Sequence, residues 1–139
     1  MKSYRTPLSL EELPGYKKKS FSLFFAGSEI WAEHLDGMYQ YADGVIQKFL
    51  EDALTFRQPS KPSLFAINLD ETEVDERIED AIALELASRK KYFTRVVFVG
   101  LPRKKQKTVQ KKIDSMGRTF ALAFMDDFEK AKEWLVAEG

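Results

Sequence analysis

Carboxylates crowd one short stretch of this chain. Asp70, Glu71, Glu73, Asp75 and Glu76 follow one another closely, with Thr72 as the only hydroxyl among them. Such a set can hold a cation or dock a partner through an acidic surface. It can equally serve the fold, because acids at a helix start oppose the positive end of the helix dipole. The spacing is not that of a calcium loop. A second set is cationic: Arg103, Lys104, Lys105, Lys107, Lys111 and Lys112, with Arg118 just beyond. It suits nucleic acid or an anionic lipid head group, or simply a solvated helix face. No aromatic side chain is interleaved with these cations as a stacking platform. A ligand phosphate would best sit on the N–H groups near Arg103 and Lys104, at a helix start.

The remaining candidates are sparse. His34 is the only histidine, and nothing in the sequence places a serine or carboxylate beside it. Asp126 and Asp127 are adjacent, so their side chains diverge, and they suit helix capping. Carboxylate hydrolase or transferase chemistry around Asp70 and Glu71 lacks an assembled set of base, nucleophile and oxyanion donors. The chain therefore reads as a protein without catalytic residues. It has no cysteine, which removes thiolate zinc sites, disulfides and cysteine nucleophiles. No cofactor or metal is expected.

The elements that position these residues follow from hydrophobic periodicity. Ser20 to Ala26 is Phe-rich and reads as a strand, Gly27-Ser28 as a tight turn, and Glu29 to Leu35 as the returning strand. Residues 41 to 56 carry Ala42, Val45, Ile46, Phe49, Leu50, Ala53 and Leu54 at helical spacing. Pro59 and Pro62 then oppose helix. Three strand-then-helix units follow. Ser63–Leu69 precedes a helix over 74–90, with Val74, Ile78, Ile82 and Leu86 four apart. Thr94–Val99 precedes a basic helix over 103–116, with Pro102 near its first position. Thr119–Phe124 precedes a helix starting near Asp126. Strands alternating with helices predict an α/β domain: a mixed sheet with an N-terminal antiparallel hairpin and helices packed on its faces. Residues 1–19 read as a lead-in, with Ser9–Glu12 able to start one helical turn. Residues 20–139 form a single domain.

Composition bounds the partners. The 139 residues carry 22 Lys plus Arg and 22 Asp plus Glu. With charge in balance, nothing in the whole-chain field calls for nucleic acid or an anionic membrane. No apolar stretch approaches the roughly 20 residues that span a bilayer, and the start lacks a signal-peptide core, so the expected location is cytoplasmic. Aromatics are dense near the hairpin and the first helix: Phe21, Phe24, Phe25, Trp31, Tyr39, Tyr41 and Phe49. Phe24 and Phe25 point to opposite strand faces, which makes at least one face unusually apolar and hints at a pocket or a homodimer surface.

The element order from Ser20 onward resembles the STAS domain (sulfate transporter and anti-sigma-factor antagonist), especially its SpoIIAA-like branch of small bacterial proteins. Three stretches carry the resemblance: Lys61–Asp70, Tyr92–Gly100 and Phe124–Leu135. It implies a STAS-type fold and a regulatory or binding module rather than an enzyme. The module would bind a protein partner or a small apolar or lipid-like ligand. Ligands of open α/β sheets gather at the carboxyl ends of the strands, which selects Asp70, Glu71, Thr72, Leu101, Arg103 and Lys104 as candidate binding residues. Anti-sigma antagonists carry a phosphorylated serine after the central strand. Here Leu69–Arg77 has no serine, and a phosphate on Thr72 would meet the charge of its acidic neighbours. The alternative reading is nucleic-acid or anionic-ligand binding through the basic helix, Arg103–Lys112.

Overall fold

A computed structural model describes Gly15, residues 18–58 and residues 61–137. The helical turn expected at Ser9–Glu12 lies outside these described residues. Among the described residues five strands and four α-helices follow one another: β1 (Phe21–Phe25), β2 (Ser28–His34), α1 (Ala42–Phe56), β3 (Leu64–Asn68), α2 (Glu76–Ser88), β4 (Arg95–Val99), α3 (Arg103–Ser115), β5 (Ala121–Met125) and α4 (Phe128–Val136). One 3-10 turn, Lys90–Tyr92, leads into β4.

The strands form one sheet in sequential order, β1-β2-β3-β4-β5. β1 runs antiparallel to β2, and every later pair is parallel. The hairpin turn is Ala26-Gly27, with φ of 50° and 85°. Positive φ at both central residues matches a type I′ turn, whose twist suits a tight hairpin. The β-strand after the turn begins at Ser28, one residue earlier than the sequence suggests, because Ser28 pairs with Phe25.

Sequential strand order with crossovers of one hand keeps the crossover helices on one face. The packing follows that rule. Trp31, Phe65, Phe98, Phe49, Ile78, Ile82 and Ile113 belong to one core that joins α1, α2 and α3 to the sheet. α4, which follows β5, folds over the other face, where Ala131 and Leu135 cover Ile30, Ala66, Val97 and Val99. Both faces of β3 and β4 are therefore buried, which explains why these strands are continuously apolar instead of alternating.

Several boundaries shift from the sequence expectation for local reasons. α2 starts at Glu76 because Asp75 takes the cap and accepts a hydrogen bond from the Ile78 N–H, leaving Val74 as a buried loop anchor. α4 starts at Phe128 behind Asp127, whose carboxylate accepts from the Glu129 N–H. Both acids cap as their type allows. β5 starts at Ala121, where its register with Arg95 begins.

Candidate functional site

The carboxyl ends of the parallel strands carry three loops that are laced together by backbone hydrogen bonds. Leu35 N–H donates to Asn68 O, Gly37 N–H to Asp70 O, Tyr39 N–H to Glu71 O, and Glu73 N–H returns to Tyr39 O at 2.7 Å. The loop after β3 thus continues the ladder against the loop after β2, ending in a parallel bridge between Tyr39 and Thr72. Gly100 closes the third side: its N–H donates to Met125 O, and its Cα lies against Asp70. A Cβ there would meet Asp70 Oδ1 at 2.4 Å and the Asp70 backbone nitrogen at 2.7 Å, and its φ is +89°. Only glycine satisfies both the space and the dihedral.

Two residues that are not glycine also hold positive φ here. Tyr39 sits at 49° and Glu71 at 54°, and they are joined across the bridge by the Tyr39 N–H to Glu71 O bond. Left-handed backbone costs an ordinary L-residue about 1–2 kcal/mol. The loops lock both residues in place by hydrogen bonding. Around them lies a cavity of about 290 Å³ lined by Tyr39, Gln40, Glu71, Thr72, Gly100 and Pro102, with Glu73. A second hollow of about 270 Å³ shares Gln40 and Glu73 and adds Ala42 and Asp75, so the two make one groove.

The candidate residues from the sequence fall into three groups. Glu71 lines the groove, and Asp70 supports Gly100 beside it. The Asp70 carboxyl titrates above its ordinary value, first through partial burial and then through the charges of Asp36, Glu71 and Asp126, with Lys18 opposing. Thr72 is buried although it borders the cavity. Its hydroxyl donates to Leu35 O at 2.5 Å and accepts from the Met38 N–H at 3.1 Å, which pins the loops together. Leu101 is buried in the helical core. Arg103 and Lys104 are exposed at the start of α3, directly after Pro102.

The basic helix is partly neutralised. Lys105 and Lys112 both reach Glu79 of α2 at 3.0 Å, and Lys112 also reaches Asp80 at 2.7 Å. Glu79 is buried, so these pairs clamp α3 to α2. Arg118 pairs with Asp114. The acids of α2 and the cations of α3 thus meet along neighbouring helices. Among the described residues no cluster of metal-ligating side chains suits a metal ion.

His34 lies on the face of Ile30 and Ala32, as the strand alternation requires. Its ring packs between Phe21 and Phe128 at centroid distances of 5.6 and 5.8 Å. Its Nδ1 is 3.3 Å from Asp36 Oδ1. Asp36 also pairs with Lys18. Burial acts against ionisation of Asp36, but the His34 and Lys18 hydrogen bonds outweigh it and hold the carboxyl down at about 2.

A polar cluster under α1 escaped the sequence reading. Glu33 of β2 is completely buried on the α1 face and accepts from the Trp31 indole N–H at 2.9 Å. Its other oxygen, Oε2, meets no N–H or hydroxyl donor among the described residues, and the Asp52 carboxyl lies close enough to raise the Glu33 titration. Asp52 in turn accepts from Ser20 Oγ at 2.8 Å and from Lys48 Nζ at 3.0 Å. Lys48 also donates to His34 O at 2.6 Å. Two carboxyls hydrogen-bond only when one holds a proton. Burial raises Glu33 well above its ordinary value, whereas hydrogen bonds from Glu33, Ser20 and Lys48 overcome burial and lower Asp52. Glu33 is therefore the acid and Asp52 the carboxylate. The available sequence signal was a glutamate alternating between Trp31 and Leu35 on a core-facing register.

No family model, curated protein or solved structure matches the chain. No helix among the described residues is long and apolar enough to cross a membrane.

Proposed function

We propose that the chain is a non-catalytic binding module of STAS-like type, and that the groove between Tyr39, Glu71 and Gly100 receives a segment of a protein partner. The observation that carries this reading is the opposed pair of left-handed residues, Tyr39 and Glu71, on the groove lining. Backbone strain held at a cleft marks a recognition surface more often than a plain loop. The groove lies at the carboxyl ends of parallel strands, the usual ligand position in open α/β sheets. Its aromatic and proline surfaces suit an apolar side chain, and Glu71, Glu73 and Asp75 suit a neighbouring lysine or arginine. The element order and the sequential sheet support the STAS-like assignment.

Binding of nucleic acid through Arg103–Lys112 is the weaker alternative, since Lys105 and Lys112 already neutralise Glu79 and Asp80. Two acetylated heptapeptides separate the readings, one alternating leucine with lysine and the other leucine with glutamate. Titrated into ¹⁵N-labelled protein, the lysine peptide should shift the amides of Tyr39, Gln40, Glu71 and Gly100. Glu73→Gln should weaken it by roughly threefold to tenfold, the worth of one partly screened charge contact. Equal shifts from the glutamate peptide, or shifts centred on α3, would overturn the proposal.

A further inference from the structure

The opposite end of the sheet holds a hollow with different chemistry. It encloses about 240 Å³ between the end of α1, the loop into β3 and the 3-10 turn, and is lined by Phe56, Lys61, Pro62, Arg89, Tyr92 and Phe93, with Gln58 and Ser63. Its wall is aromatic and continuous with the core: Phe56 packs on Phe65 at 5.0 Å, and Phe65 on Phe93 at 5.2 Å. The charged residues on its described lining, Lys61 and Arg89, are both positive. Four other hollows each carry a carboxylate on their lining: Glu71, Glu73, Asp75, Asp114 or Asp52. This one has Lys61 and Arg89 and no acid among the described residues.

The cations are also positioned. Arg89 donates from Nη2 to Arg57 O at 2.6 Å, which holds its guanidinium 4.9 Å from the centre of the Tyr92 ring. Lys61 stands 6.0 Å from the Trp31 ring. Arginine held against an aromatic face presents its remaining edge as a planar anion-binding surface. The volume lies just below the range of pockets for drug-sized ligands, roughly 300–1,000 Å³, so the occupant is one small flat ring system and not a nucleotide. Taken together, a small hollow of mixed polar and apolar lining, an aromatic wall and two cations with no carboxylate on the described lining fit an organic anion with one flat body.

From this geometry we infer that the hollow between Phe56, Arg89 and Tyr92 is a binding site for a small aromatic carboxylate. The site is separate from the groove at the other end of the sheet and does not depend on it. The carboxylate would face Arg89 and Lys61, and the ring would lie against Phe56 and Tyr92.

Three probes test this by amide shift mapping: indole-3-acetate, benzyl alcohol as the neutral ring, and inorganic phosphate as the ringless anion. Indole-3-acetate should shift Arg89, Tyr92 and Phe93 saturably, and tighter than either other probe. Arg89→Gln, at a half-exposed position, should weaken it about tenfold, the loss of one charge-assisted contact worth on the order of 1.4 kcal/mol. Lys111→Gln on the far basic helix should leave it unchanged, and wild-type thermal unfolding checks that each variant folds. Phosphate matching indole-3-acetate, shifts that spread over α3, or the absence of saturable shifts would each overturn the assignment.

Discussion

Glu33→Gln tests whether β2 carries a neutral acid inside the core. The glutamine keeps the oxygen that accepts from Trp31 and replaces the shared proton with an amide N–H that can donate to Asp52. Wild-type Glu33 is raised well above its unfolded value of 4.5, chiefly by burial. The folded state therefore binds a proton that the unfolded state releases. The stabilising contribution of this group is complete below about pH 4.5 and is lost as pH rises from there to the folded value. The slope for one proton is about 1.4 kcal/mol per pH unit. Asp36 and Asp52 act with the opposite sign, and their contributions change below 3.8, so the windows do not overlap. Urea unfolding followed by tryptophan fluorescence at pH 5, 6, 7 and 8 would isolate the effect as the difference between variant and wild type. The glutamine form should match wild type within about 1 kcal/mol at pH 5. It should gain on wild type with each unit of rising pH, at up to about 1.4 kcal/mol per unit until the folded value is passed. Parallel stability curves would refute the reasoning, and would mean that Glu33 is ionised in the fold and neutralised by Lys48.

Substitutions at three further positions follow from the loops. Thr72→Val removes the hydroxyl that serves Leu35 O and Met38 N–H; it should cost roughly 2–3 kcal/mol in chemical unfolding, because two buried backbone groups lose their partner, while Thr72→Ser recovers most of it. Gly100→Ala should destabilise by more than about 2 kcal/mol, since its Cβ meets Asp70 and its φ is +89°. Asp36→Asn should flatten the acid limb of the stability profile: wild type loses this contribution as pH falls from 3.8 through about 2, and the variant has nothing to lose there.

The fold was legible where one physical signal dominated. Ile78, Ile82 and Leu86 recur at a spacing that only a helix uses, and Val96–Val99 is apolar on both faces because helices cover both. The element order and the N-terminal hairpin came from those signals. Boundaries were less legible, since a cap such as Asp75 looks like any other acid in an acidic run. The one-sided placement of α1, α2 and α3 was not written in any single element. It follows from strand order, and strand order depends on contacts between residues far apart in sequence.

The site was half legible for the same reason. Residue type alone grouped Asp70, Glu71 and Thr72 together, yet the backbone separates their duties. Glu71 is turned to the groove by a left-handed φ, and Thr72, next in sequence, is turned inward to hold Leu35 and Met38. Composition cannot distinguish these two. The same holds for the basic helix, where Lys105 and Lys112, seven apart, share the side that faces α2 and become ion pairs, while Lys104, Lys107 and Lys111 remain exposed. Helical spacing could have singled out the first pair, had the neighbouring helix been known to present Glu79. That neighbour is fixed by the order of β3 and β4 in the sheet. A charge run therefore acquires a function only after topology has taken the charges it needs for packing, and what topology leaves exposed is the surface on which binding should be sought.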